Sequence, residues 1–168
     1  VGGVKLALGL SHIIPPENLT LIINTGDDFR HLGLKICPDL DTVMYTLSGV
    51  VNPEFGWGVQ DDSTNTLETL EKHYHFEPWF RLGDKDMATH LLRTNMLNEG
   101  HTLTEVVTHM SRLIGVKPTL LPMTDMDVPT IVNTESMGKL GFQEYFVKHR
   151  WQPVIKSIRY DAHEKATI

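Results

Sequence analysis

The hydrophobic positions along this chain follow two rhythms. LTLIIN, Leu19 to Asn24, is an unbroken apolar run of strand length, which suits a strand buried on both faces. It gives way abruptly to Asn24, Thr25, Gly26, Asp27 and Asp28. From residue 38 the rhythm turns helical: Leu40, Val43, Met44 and Leu47 stand at i, i+3, i+4 and i+7, and Gly49 follows where a helix would close. Leu67, Leu70, Glu71 and Tyr74 predict another helix, and a further one starts near Asp84, with Met87, Leu91 and Leu92 on one face, and ends by Gly100. TLTE, Thr102 to Glu105, is a capping box ahead of Val106, Met110, Leu113 and Ile114, with Gly115 as the stop. At the front, Leu6, Leu8, Leu10, Ile13 and Ile14 lie on a short helix-like stretch that Pro15 and Pro16 end. Residues 50–63 carry Pro53, Gly56 and Gly58 and read as a loop, with Trp57 as its anchor. TLLPM and PTIVNT read as strands, and VIKSIRY alternates Val154, Lys156, Ile158 and Tyr160 in a half-buried strand pattern.

Strand, helix, strand in this order argues for an α/β fold with a parallel sheet in the first part and mixed strands toward the end. At 168 residues, 40% hydrophobic and 21% charged, the chain suits a single domain with a real core. A formal charge of -6 without a basic patch argues against nucleic acid and anionic membranes as partners, so any phosphate needs a local site. No apolar run approaches the roughly 18 residues of a membrane span, and one cysteine, Cys37, makes no intramolecular disulfide. A cytoplasmic setting is therefore expected, with Cys37 as a small buried hydrophobe. The glycines Gly2 and Gly3 are under way from the outset, as though a strand before them were missing, which marks the chain as a fragment.

In open α/β sheets ligands gather beyond the carboxyl ends of the strands, where Asp27 and Asp28 fall. Gly2 and Gly3 fit a turn into a helix whose backbone N–H groups approach a phosphate. Asp39 and Asp41 have two readings: acids of a helix's first turn, or carboxylates converging with Asp27 on Mg²⁺ or a hydroxyl. WFRLGDKDMATHLLR, Trp79 to Arg93, likewise divides between a solvated, charge-paired helix start and a site. In the second reading Asp86 and His90 share a face at i, i+4, with Arg81 and Lys85 as phosphate or ring partners near Asp84. Trp79 and Phe80 read as core. The nine histidines show no zinc spacing, since His73 and His75 point apart on a helix. A nicotinamide enzyme is a rival, weakened by the incomplete glycine fingerprint.

VGGVKL, NTGDD, CPDLDTVMYTLSG, GWG, LGDKDMATHLLR, LLPMTD and FQEYFVKHR stand in the order and spacing of one family. The chain resembles the 2-phospho-L-lactate transferase family of coenzyme F(420) biosynthesis, whose members are roughly twice as long. The resemblance implies a Rossmann-like three-layer core with a mainly parallel sheet and a smaller mixed portion, residues 1–168 forming the N-terminal part of the enzyme. It implies transfer of a 2-phospholactyl or phosphoenolpyruvyl group, with Mg²⁺, from a guanosine diphosphate-linked donor to the deazaflavin FO, releasing GMP. In the family the residues matching Asp41 and Arg81 contact FO, the acid matching Asp27 is associated with the metal, and the opening glycines match the phosphate-side loop. Asp41 and Asp27 are thus the expected catalytic acids, with Asp28, Asp39, Asp84 and His90 as further candidates. Asp39 is expected to start the helix while Asp41 faces the acceptor. The family tendency is toward a homodimer. The alternative is a nucleotide-sugar-binding regulatory factor of a related branch, against which the PDLDT and LGDKDMATH segments argue.

Overall fold

A computed structural model describes the chain except Val1, His163, Lys165, Thr167 and Ile168. Helix α1, Gly2–Ser11, runs toward the Pro15–Pro16 pair and buries Val4 and Ala7. Strand β1, Thr20–Ile23, follows, and then a tight hairpin of β2, Phe29–His31, and β3, Leu34–Ile36. The hairpin turn is Leu32-Gly33, both at positive φ, the backbone geometry whose twist matches antiparallel strands. Helix α2 spans Pro38–Ser48, with Pro38 in its first turn and Gly49 closing it in the left-handed region. Helices α3, Asn65–Tyr74, α4, Asp84–Asn98, and α5, Leu103–Leu113, lead into β4, Thr119–Pro122. The capping box is present at Thr102 and Glu105. Strands β5, Thr130–Thr134, β6, Gly138–Gly141, and β7, Ile155–Tyr160, complete the order, with a π turn at Glu144–Lys148 before β7.

The architecture is mixed α/β. β1 and β4 pair in parallel, Thr20 opposite Thr119, while β6-β5-β7 form a three-stranded antiparallel sheet, so among the described strands the parallel pairing is limited to β1 and β4. The core lies between β1, β4 and the helices: Ile23 and Leu120 from the strands meet Leu40, Val43 and Met44 of α2 and Val106, Val107 and Met110 of α5. Cys37 is fully buried there, as expected of a small hydrophobe.

Three readings of burial are corrected. β1 is not covered on both faces, since Ile22 is 71% exposed; with β4 as its only partner among the described residues, one face of the run lies open. β7 is exposed along all six residues, as an edge strand paired with β5. Trp57 anchors nothing deep: it is half exposed, and among the described aromatic rings it meets Phe55, at 5.7 Å.

Helix α4 departs most from its pattern. Leu91 and Leu92 point outward while His90, Arg93 and Thr94 are buried. The hairpin explains this. Arg30 and Lys35 form a non-hydrogen-bonded pair between two bonded ones, so the N–H and C=O of Lys35 face away from β2. Those two groups need partners once covered, and α4 supplies them: Lys35 N donates to Thr94 Oγ1 at 2.8 Å, and an Arg93 guanidinium N–H donates to Lys35 O at 3.3 Å. The helix turns polar residues inward because it covers a strand edge.

Candidate active site

Two groups of acids gather around the start of α2. The first stands at the end of β1. Asn24 accepts from the N–H of Gly26 at 3.0 Å and donates to Asp39 Oδ2 at 2.8 Å, so one side chain ties the strand-end turn to the helix. Gly26 O accepts from the N–H of Thr130 at 2.7 Å, and a Cβ on Gly26 would sit 3.0 Å from Thr130 Oγ1, so this approach to β5 favours glycine. Asp39 lines a cavity of about 250 Å³ together with Gly3, Ala7, Asn24 and Val43. Asp27 lines a second, of about 220 Å³, with Lys35, Asp127 and Thr130. Burial, and after it the nearby Asp39 carboxylate, raises the pKa of Asp27.

The second group is buried. Arg93 grips both carboxylate oxygens of Asp41, bonding Oδ2 at 3.1 Å and approaching Oδ1 still more closely. Burial opposes the guanidinium charge, but Asp41, Cys37 and Tyr45 together outweigh it and raise the pKa of Arg93. Arg93 also donates to His90 Nδ1 at 3.2 Å; since arginine has no acceptor, the neutral ring carries its proton on Nε2, 3.3 Å from Asp86 Oδ1. Tyr45 donates its hydroxyl to the same Asp86 oxygen at 2.7 Å. Burial would raise the pKa of Asp86, yet His90 and Tyr45 bring it below the ordinary value. Alongside, Cys37 Sγ donates to Asp28 Oδ2 at 3.0 Å, and Lys35 Nζ lies 3.4 Å from that oxygen and closer still to Asp127. Burial pushes the Asp28 carboxyl up to about 6, which Lys35 and Cys37 only partly counter.

The expected residues thus separate. Gly3, Asp39 and Asp27 are at the open strand end, and Gly2 begins the same helix as Gly3. Asp28, Asp41 and His90 are inside. Arg81 is exposed, on the segment before α4, where its charge reaches Glu68. Asp84 is spent on hydrogen bonds to the start of α3, from Ser63 Oγ at 2.7 Å and the N–H groups of Asn65 and Thr66. The roles expected of Asp39 and Asp41 meet the opposite geometry: Asp39 borders the cavity, and Asp41 is 4% exposed beneath α4. Two residues along a helix is a turn of about 200°, so one acid of the pair must face inward. Neither caps the helix, since the position before it is Cys37 and makes no side-chain cap.

Trp79 and Phe80 pack with Phe29 and His31 as an aromatic group, Phe29 to Phe80 at 4.9 Å between ring centres. Residues with a hand in the site that the pattern did not single out are Arg93, Lys35 and Tyr45. Arg93 left one legible trace, a charge three residues after His90 on the face opposite Leu91 and Leu92.

The chain matches the family model of 2-phospho-L-lactate transferase CofD over residues 1–168. It is 44% identical over 153 residues to a phosphoenolpyruvate transferase of Streptomyces griseus, a match covering 89% of this chain and 48% of that one. It is 36% identical over 167 residues to a 2-phospho-L-lactate transferase of Methanosarcina mazei, covering 99% and 54%. The chain therefore spans about half the length of the curated relatives it matches. A crystal structure of a upf0052 family member from Bacillus halodurans has the same fold, at a TM-score of 0.57 and 17% identity over 98% of this chain and 49% of that one. By its match over the whole length, the chain belongs to the 2-phospho-L-lactate transferase CofD family.

Proposed function

We propose that the protein containing this chain transfers a phospholactyl or phosphoenolpyruvyl group from a guanosine diphosphate-linked donor to the deazaflavin FO in coenzyme F(420) biosynthesis. The observation that carries the reading is family membership over residues 1–168, with relatives named for both the phospholactate and the phosphoenolpyruvate transfer. In the reaction a terminal ribityl hydroxyl of FO attacks the phosphorus bearing the organic acid. A new P–O bond forms, the bond from that phosphorus to the GMP oxygen breaks, and the hydroxyl proton is released. Such a displacement depends on alignment and on neutralising charge at the phosphoryl oxygens.

The strand-end acids suit Mg²⁺. Asp27 and Asp39 are hard oxygen donors near enough for one carboxylate to raise the pKa of the other, a repulsion that a divalent cation relieves. Among the described residues no three His, Cys, Asp or Glu side chains converge on a metal position, so these two would hold the ion with substrate oxygens and water. When bound, the ion neutralises charge on the diphosphate. The N–H groups at the start of α1, beside Gly2 and Gly3, favour an anionic phosphate at the mouth of the cavity that Asp39 lines. Asp39, open to that cavity, is the acid in position to orient the hydroxyl. Asp41 holds Arg93 and thereby the seat of α2, and Arg81 contributes an exposed positive charge toward the acceptor.

No helix among the described residues is long and apolar enough to cross a membrane, and we assign residues 1–168 to a single domain working in the cytoplasm. The test is to incubate the protein at its family length with FO, Mg²⁺ and each of the lactyl, enolpyruvyl and glyceryl donors, reading phosphodiester and GMP by mass spectrometry. Product from one donor supports the reading and names the substrate. No product from folded protein with any donor refutes it.

A further inference from the structure

The segment from α3 to the start of α4 is an excursion closed at its neck. Asp62, just before α3, accepts from the N–H of Lys85 at 2.7 Å and of Asp86 at 3.0 Å, and so caps α4. Asp84, the first residue of α4, accepts from the N–H of Asn65 at 2.9 Å and of Thr66 at 3.0 Å, and so caps α3. Each helix is thus capped by an acid from outside it. The backbone adds Asp84 N to Ser63 O at 2.8 Å, and Lys85 Nζ donates to Gln60 O at 2.9 Å. Hydrogen bonds led by those from Ser63 and Thr66 hold the Asp84 carboxyl well below the usual range.

Gly83 makes the crossing achievable. A Cβ at that position would stand 2.0 Å from Asp62 Oδ2 and 2.2 Å from its Cγ. The carboxylate cannot step aside without losing the two α4 N–H groups that it holds.

Residues 65–83 lie between the two sides of this neck. That stretch carries Trp79, Phe80 and Arg81, and Leu82, almost fully buried, ties its end to the interior. On the other side Asp62 holds the N–H of Asp86, whose carboxylate receives Tyr45 and lies beside His90, which leads through Arg93 to Asp41. We infer that Asp62 and Asp84, crossed over Gly83, are positioning residues that fix the arm bearing Arg81 relative to Asp41. Neither acid touches a substrate. The inference rests on the proposed function for its kinetic consequence but not for its structural one.

The test uses Asp62→Asn, Asp62→Ala, Gly83→Ala and the double variant in the protein at its family length. Asp62→Asn turns one of two acceptor oxygens into a donor, so one α4 N–H loses its partner. Hydrogen exchange read by mass spectrometry should quicken about tenfold over residues 76–83 and stay unchanged in α5; an unaltered pattern in the arm overturns the clasp. In turnover, the KM for FO should rise about tenfold with kcat and donor KM within about twofold, since the arm's placement bears on acceptor binding. Equal losses in every parameter would make the acids merely structural. Gly83→Ala should match Asp62→Ala, and the double variant should be no worse than either, because the three atoms nearest the added methyl all belong to the Asp62 carboxylate. Additive effects contradict the crossing. Should the wild type make no product, the function reading falls, and the exchange result still decides the clasp.

Discussion

Helices α2 and α4 both begin with two aspartates one residue apart, Asp39-Leu40-Asp41 and Asp84-Lys85-Asp86, and use them alike in one respect. In each pair the second acid turns inward and meets a basic or hydroxyl group from the other helix: Asp41 takes Arg93, and Asp86 takes Tyr45. The first acids differ. Asp84 is consumed as the cap of a neighbouring helix, whereas Asp39 accepts from Asn24 and borders a cavity. The same spacing therefore yields a closed structural joint at one helix and an open edge at the other. What separates them is the segment before each helix. Ser63, Asn65 and Thr66 bring unpaired donors to Asp84, while the strand end at Asn24 leaves Asp39 room.

The largest effect should come from breaking the inner pair. Asp41→Ala leaves a buried guanidinium without its carboxylate, and removing one partner of such a pair costs about 3–5 kcal/mol. Urea unfolding measures it, and a cost under about 1 kcal/mol would mean that the pair is not buried in solution. Asp41→Asn sharpens the division of roles. A loss of turnover at unchanged melting temperature would return the acceptor role to Asp41.

Next in size is the acid beside the inner pair. With the Asp28 carboxyl pushed up to about 6, the native state holds a proton between about pH 4 and 6 that the unfolded chain has released. Native protons in excess make stability fall as pH rises through that window. The loss amounts to about 3 kcal/mol and is complete above it. Asp28→Asn removes the titration, so the stability difference between wild type and variant should shift by that amount from pH 4 to 7. A difference independent of pH would show that Asp28 titrates normally.

Asp39→Asn tests the open edge. The site is half-buried and outside the inner network, so stability should change by no more than about 0.5 kcal/mol, while turnover should drop at least about tenfold through loss of the charge beside Asp27. Full activity in this variant would remove Asp39 from the site.

How much of this was legible depended on whether the cause was local. The strands at Leu19 to Asn24 and Thr130 to Thr134, the helix closing at Gly49 and the capping box at Thr102 each rest on neighbouring residues, and each stands where the pattern put it. The hairpin was not read, although Gly33 marks its turn, because its strands are three residues each and too short to show alternation. The polar inner face of α4 answers the unpaired edge at Lys35, which is 58 positions from Arg93 in the chain. Which acid of the Asp39–Asp41 pair faces inward depends on that same covering helix. The sequence left the pair either as first-turn acids or as carboxylates converging with Asp27, and the crossed caps join Asp62 to Lys85 over 23 positions, beyond any local pattern.

The smallest effect is expected where a cap is wholly local. Thr102 accepts from the N–H of Glu105 at 3.2 Å, and Glu105 accepts from the N–H of Thr102 at 2.9 Å, so α5 is capped from its own first turn. Thr102→Ala removes one bond at an exposed helix start and should cost about 1 kcal/mol in urea unfolding. It should leave the KM for FO as in wild type, because α5 holds no part of the arm bearing Arg81. Set beside Asp62→Asn, this variant separates the general cost of losing a helix cap from the particular consequence of losing one that crosses between elements. If Thr102→Ala raised the FO KM as much as Asp62→Asn, cap loss anywhere would suffice, and the contrast between the local and the crossed cap would vanish.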